Sequence, residues 1–237
     1  MDTKELLKNV RHLEIRTRGV VNQVFSGEYH SVFKGRGMDF SEVREYQFGD
    51  EIRMIDWNVT ARFNHPFVKV FEEERELTVM LLVDLSGSQF FGSGKSLKRD
   101  IAVEISAILA FSAMKNNDKV GAILFTDQIE KFIPPRKGKS HALRIIRELL
   151  SFEPRSPATS IRTAVEYLNR VVKKRSIVFV ISDFMDAGYE SALRVAGKRH
   201  DLIGVVMTDP REQSMPAVGL VTFRDSETGE QRWIDTS

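Results

Sequence analysis

The sequence predicts an α/β fold built on a doubly wound, mostly parallel sheet. Three observations predict it. From Leu77 onward, apolar runs of strand length at 77–84, 119–126, 176–182, 202–208 and 218–224 alternate with helical stretches at about 96–115, 139–151, 160–173 and 188–199. The first run, Val79-Met80-Leu81-Leu82-Val83, is apolar at every position, as a strand covered on both faces must be. Two of the runs end in an acid, Asp84 and Asp183. In open α/β sheets the ligand crevice lies beyond that end of the strands.

Taken in order, residues 3–17 read as an amphipathic helix with Leu6, Leu7, Val10, Leu13 and Ile15 on its apolar side. Gly27, Gly35 and Gly37 punctuate a turn-rich stretch, followed by short segments from Phe40 to Tyr46, Ile52 to Trp57 and Phe67 to Phe71. Tyr46 and Trp57 are expected in the core of this part, and the acidic cluster Glu72 to Glu76 reads as an edge strand kept soluble by charge. Residues 1–74 are therefore expected to form an N-terminal elaboration packed on a main domain of residues 75–237.

In that main domain the helix after the Asp84 strand carries Ile101, Ala102, Val103, Ile105, Ile108, Leu109 and Phe111, apolar nearly all round. Such a helix belongs at the centre of a doubly wound fold. The helix at 160–173 is one-sided, with Ile161, Ala164, Val165, Leu168, Val171 and Val172 on one face. Ile129 to Ile133 follow the turn at Thr126-Asp127-Gln128 and stop at Pro134-Pro135, the pattern of an antiparallel edge strand.

Composition narrows the function classes. The 237 residues are 42% hydrophobic and 29% charged, the balance of a globular protein and not of a disordered one. A formal net charge of +2 does not argue for nucleic acid. No apolar stretch approaches the ~20 residues of a membrane span, and the first residues lack the apolar core of a signal peptide. Zero cysteines exclude disulfides, thiolate metal sites and a cysteine nucleophile, so a cytoplasmic location is expected.

Asp84, Ser86 and Ser88 stand at alternate positions after the first buried strand, Asp183 ends the third, and Thr159 precedes the helix at 160–173. If those two strands are neighbours, the acids lie side by side with the threonine hydroxyl between them. An oxygen-only set of this kind suits Mg²⁺ or Mn²⁺ and not zinc. A lone strand-end acid would more simply cap a turn or a helix. Three hydroxyls in register with two acids favour the metal.

A serine nucleophile needs a base, and His12, His30, His65, His141 and His200 all fall outside these strand ends. Gly92-Ser93-Gly94-Lys95-Ser96 suggests a phosphate loop, but the first glycine such a loop requires is replaced by Gln89. Two basic clusters, Arg136, Lys137, Lys139, Arg144 and Arg147, and Arg170, Lys173, Lys174 and Arg175, read as solvated helix faces, with a docking patch as the alternative.

Asp84-x-Ser86-x-Ser88, Thr159 and Asp183 resemble, in order, the metal-ion-dependent adhesion site of von Willebrand factor A-like domains, a Rossmann-type fold. The likeness covers about residues 75–225. It implies that Ser86, Ser88 and Thr159 touch the metal directly or through water, that Asp84 and Asp183 bind it mainly through water, and that one position stays open for a partner's carboxylate. Gln89 departs from the many such motifs that carry Met there.

Upstream, Gly35-Arg36-Gly37-Met38-Asp39-Phe40, Val43-Arg44-Glu45-Tyr46, Gly49-Asp50, Ile52-Arg53-Met54-Ile55-Asp56-Trp57 and Ala61-Arg62 look like the hallmark of one bacterial family. Asp209-Pro210-x-Glu212 resembles its C-terminal pattern. That family, domain of unknown function fifty-eight, has genes that usually neighbour MoxR-type AAA+ ATPases. The resemblance implies a non-enzymatic, metal-dependent adaptor for such an ATPase in protein assembly or remodelling. The competing expectation is a Mg²⁺-dependent phosphohydrolase using the strand-end acids, disfavoured because Ser86 stands where its second acid belongs.

Overall fold

The computed structural model describes residues 10–15, 17, 39–72, 77–94, 96–214 and 217–237. They fall into two compact units, one within residues 27–76 and the other comprising residues 77–237 with the described residues before 18.

In the smaller unit, β1 (Asp39–Glu45) pairs antiparallel with β2 (Phe67–Glu72), with a register break between Phe40 and Glu42. Between them runs α1 (Trp57–Phe63), whose first amides at Asn58 and Val59 are capped by the Asp56 carboxylate. Asn64, in the left-handed region at φ 57°, ends it. Arg44 grips Asp50 through two bonds of 2.8 and 2.7 Å. Trp57 is 67% exposed and Tyr46 half-buried, so the expected aromatic core is not there. A two-stranded ribbon with one short helix is too small to enclose an indole. The Gly35 to Met38 part of the motif, and Glu73 to Glu76, lie outside the described residues.

Val10 to Ile15 and Thr17 are helical, as expected of residues 3–17. Ile15 is 68% exposed, however, and contributes nothing to an apolar side. Leu6, Leu7 and Gly27 lie outside the described residues.

The larger unit is built on one sheet of five strands in the order β5-β4-β3-β6-β7: β3 (Thr78–Asp84), β4 (Lys119–Phe125), β5 (Ile129–Arg136), β6 (Ile177–Ser182) and β7 (Asp201–Val206). All neighbours are parallel except β4 and β5. The helices α2 (Lys98–Lys115), α3 (Lys139–Ser151), α4 (Ile161–Val171) and α5 (Glu190–Gly197) supply the crossovers that parallel strands require. Every residue from Val79 to Val83 is at most 2% exposed. Met80 and Leu82 join Ile123, Phe125, Val178 and Val180 in a cluster closed by Ile161, Val165 and Leu168 of α4. Val79, Leu81 and Val83 point to the opposite face and are equally buried. The continuous apolar run of β3 thus follows from its place as the middle strand. At Gly121 a Cβ would come within 2.8 Å of the Ile133 carbonyl, so the bulged β4–β5 pairing needs a glycine there.

One predicted strand sits elsewhere. Residues 218–224 were expected to extend the sheet. Instead β8 (Leu220–Arg224) pairs antiparallel with β9 (Gln231–Asp235) in a separate ribbon. The turn decides this. The Asp225 carboxylate accepts the amides of Glu227 and Thr228, and Gly229 takes φ 74°, a local hairpin closure that costs little chain entropy.

Candidate metal centre

The chain leaves β3 toward β4 on one side, then returns to place β6 on the other. Such a reversal opens a crevice at the carboxyl ends of the two central strands. Val83 is in register with Ile181, so Asp84 and Asp183 emerge from adjacent strands.

The two acids are held differently. Asp84 is fully buried. Its Oδ1 accepts the Ser86 amide at 2.8 Å and its Oδ2 accepts the Ser182 hydroxyl at 2.6 Å. Burial pushes its carboxyl up to about 6, against the pull of those bonds, and the neighbouring Asp183 adds to the rise. Asp183 is also buried, but Lys98 Nζ, itself 2% exposed, lies 2.9 Å from its Oδ2. Burial raises Asp183. The Lys98 ammonium, the Ser88 hydroxyl and the Met185 amide together outweigh it and hold the carboxyl below its usual range. Lys98 reaches Glu212 Oε1 as well, at 2.5 Å. Burial lowers this ammonium, and its two carboxylates more than restore it.

The hydroxyls complete the centre. Ser86 Oγ and Ser88 Oγ are 3.1 Å apart. Pro157, two residues before Thr159, accepts the Gly87 amide at 2.7 Å and so ties the threonine loop to the serine loop. Thr159 Oγ1 donates to Glu227 Oε1 at 2.7 Å. Burial raises the Glu227 carboxyl, the Thr159 bond opposes this, and Asp183, Asp225 and Asp186 push it further up. Phe184, just past Asp183, holds φ 58°. A non-glycine residue in that region costs on the order of 1–3 kcal/mol. Its amide bonds to Ser182 Oγ, and its ring meets Tyr189 at 5.9 Å.

Asp84, Ser86, Ser88 and Asp183 thus stand together at these strand ends, and Thr159 belongs to the loop that Pro157 ties to the serine loop. Ser86 is fully buried, so its hydroxyl lies below the rim of the crevice. The Pro157 loop and the backbone of Ser226, which packs against Gly87 with no room for a side chain, lie over it.

Four members escaped sequence reasoning: Lys98, Ser182, Glu212 and Glu227. Ser182 carried a signal, a hydroxyl inside an otherwise apolar buried run. Lys98 carried a weaker one, a cation opening the most apolar helix. Glu227 carried none, because a hairpin turn places it.

Among the described residues no group of three or more His, Cys, Asp or Glu side chains is arranged to hold a metal ion. The centre is instead two acids with three hydroxyls. His141 bonds the Val120 carbonyl at 3.0 Å and takes no part. Lys139 pairs with Glu14 and Arg175 with Asp201, each at 2.6 Å, so both basic clusters are partly neutralised. Lys95 of the glycine-rich loop lies outside the described residues. Within that loop, Ser93 donates from its amide and hydroxyl to Asp209 at 2.9 and 2.5 Å.

A family described as "Protein of unknown function DUF58" matches residues 42–237. The uncharacterized proteins Rv1480 of Mycobacterium tuberculosis and Mb1516 of Mycobacterium bovis are each 32% identical over 236 residues, 98% of this chain and 74% of theirs. Among solved structures, an aerotolerance-related membrane protein from Bacteroides fragilis, solved with multiple mutations to serines, matches with a TM-score of 0.50 at 20% identity, over 68% of this chain and 82% of that one. At that identity the likeness speaks for the fold.

The comparison also overturns the expected cytoplasmic location. A fold taken for that of a cytoplasmic protein is carried by one described as a membrane protein. Absence of cysteine reports on redox chemistry and not on attachment to a bilayer. Among the described residues no helix is long and apolar enough to cross a membrane.

Proposed function

The chain belongs to the DUF58 family of proteins of unknown function, and we propose that it is a metal-dependent protein–protein interaction module of von Willebrand factor A-like architecture. The observation that supports this reading is the grouping of Asp84, Ser86, Ser88 and Asp183 at the carboxyl ends of the two central strands, with the Thr159 loop tied to the serine loop through Pro157.

The donors suit a small, hard divalent cation. With metal–oxygen distances of about 2.0–2.1 Å, adjacent ligands of an octahedral Mg²⁺ stand about 2.9 Å apart. The 3.1 Å between Ser86 Oγ and Ser88 Oγ suits such an edge. Charge argues the same way. Asp183 and Glu212 share the ammonium of Lys98, while Asp84, fully buried at the end of the adjacent strand, has no part in that pairing. Buried charge without a partner is costly, and Mg²⁺ or Mn²⁺ would balance it.

Ser86, Ser88 and Thr159 would hold the ion, supported by Asp84 and Asp183. When bound, it supplies one coordination position for an outside carboxylate. The chain's own residues prepare that position. Ser182 and the Ser86 amide lock the Asp84 carboxylate, and Lys98 locks Asp183, so the donors are ordered before any partner arrives. The proposed partner is a MoxR-type AAA+ ATPase or an acidic side chain of its client. A charge-assisted contact of this kind confers specificity more than bulk affinity.

No catalytic step is assigned. The phosphohydrolase alternative is disfavoured because Ser86 stands where its second acid belongs. Calorimetric titration of Mn²⁺ should show binding to the wild type and none to Asp84→Ala. Equal binding by both would sink the assignment. A pull-down of the ATPase should need Mg²⁺ and should weaken in the Ser86→Ala, Ser88→Ala double variant. Metal-dependent turnover of a phosphatase substrate, lost in Asp84→Asn, would favour the hydrolase instead.

A further inference from the structure

The centre is partly covered. Asp84 and Ser86 have no exposed surface and Asp183 is buried, while Ser88 and Thr159 are half-buried, so an outside carboxylate would have to approach over those two hydroxyls. Part of the cover is the β8–β9 turn. The Ser226 carbonyl lies against the Cα of Gly87, inside the serine loop, and the next residue, Glu227, meets Thr159 Oγ1 at 2.7 Å.

Glu227 is an odd residue to find there. Asp183, Asp186 and Asp225 all act on it electrostatically, so a carboxylate has been brought among carboxylates. Its carboxylate accepts a hydrogen bond from a neutral hydroxyl, that of Thr159. Asp186 is committed elsewhere, to the Ile161 amide that opens α4, and Asp225 to the amides of its own turn. Among the described residues no ion pair is formed by Glu227. Lys98 is taken up by Asp183 and Glu212.

Such an arrangement is unfavourable alone and favourable beside a divalent ion. A hydroxyl has one proton and two lone pairs. In donating its proton to Glu227, Thr159 keeps its lone pairs for a metal. The 2.7 Å between Thr159 Oγ1 and Glu227 Oε1 is also close to the separation of two adjacent ligands, about 2.9 Å.

We propose that Glu227 is the chain's own carboxylate for the metal position left open to a partner, so that the 225–230 turn caps the centre and docking requires its displacement. This rests on the metal reading and adds to it a sixth ligand and a gate. The ribbon suits a gate. Every described residue of β9 is exposed, and the ribbon forms its own two-stranded sheet, not a sixth strand of the main one. Moving it therefore leaves the central sheet paired.

Mn²⁺ alone is the probe, on the full chain. Mn²⁺ affinity and the water-proton relaxivity of the bound ion should be measured for wild type, Glu227→Gln and Glu230→Gln. Glu230 lies in the same turn and pairs with its neighbour Arg232, which makes it the control. Glu227→Gln is expected to weaken binding about tenfold or more. It should also raise the relaxivity by the contribution of one inner-sphere water, which replaces the lost carboxylate. Glu230→Gln should change neither. Weaker binding at constant relaxivity would overturn the proposal, since Glu227 would then only orient Thr159. Unchanged affinity and relaxivity in Glu227→Gln, with wild-type binding intact, would also overturn it while sparing the metal reading. A wild type that binds no Mn²⁺ would remove both.

Discussion

Asp84 and Asp183 end neighbouring parallel strands, one residue apart in register, and the fold treats them in opposite ways. Asp183 has a buried ammonium at 2.9 Å and is held as a carboxylate. Asp84 is held by the Ser182 and Ser86 hydroxyls and the Ser86 amide, and its carboxyl is pushed up to about 6. The difference teaches where the centre lacks positive charge. The β6 end carries its own cation, whereas the β3 end is arranged around a place where one could sit.

The largest expected effect breaks the β6 side. Lys98→Met leaves Asp183 and Glu212 buried or half-buried without their cation, and should cost about 3–5 kcal/mol in urea unfolding. In the metal-free protein, Asp84→Asn should cost less than about 1 kcal/mol, because an amide can keep the contacts of that side chain. Equal costs would mean that the two ends are not different after all.

Next comes pH. Asp84 has a raised carboxyl in the folded state, so its contribution to stability is complete below the unfolded value near 4 and is lost as pH rises through about 6. On the order of 2–3 kcal/mol is involved. Asp183, held low, acts in the opposite sense: its contribution is present above about pH 4 and is lost as pH falls further. Urea midpoints measured in chelator between pH 4 and 7 should therefore carry a falling component that disappears in Asp84→Asn. An unchanged slope in that variant would remove the contrast.

A middle-sized effect tests the bridge between the two ends. Ser182 belongs to β6 but donates its hydroxyl to Asp84 of β3. Ser182→Ala should cost about 1–3 kcal/mol and shift the pH component upward, since Asp84 loses a bond that favours its charged form. The smallest effect should come from Asp186→Ala. It removes the cap on the Ile161 amide, costs about 1 kcal/mol, and leaves the pH component unchanged.

Much of this was legible in the chain. The strands β3, β4 and β6 follow from apolar runs, and α4 from its one-sided period, because burial on one or two faces writes directly into residue order. The antiparallel β5 was legible from the short turn before it. Trp57 was misread, since a large apolar side chain signals a core only where enough chain exists to enclose it. The strand at 220–224 was recognised as a strand and placed in the wrong sheet. Its apolar pattern does not say which edge it pairs with.

Local rules alone determined the α/β alternation, the buried middle strand, and the order of Asp84, Ser86, Ser88, Thr159 and Asp183 along the chain. These depend on periodicity and on strand ends, which are properties of neighbouring residues. Only the tertiary structure decided that Lys98 lies beside Asp183, that Ser182 reaches across to Asp84, and that Glu227 hangs over Thr159. Those pairs are separated by 85, 98 and 68 residues. Which charges meet across such distances depends on helix docking and hairpin closure, and no local pattern records it.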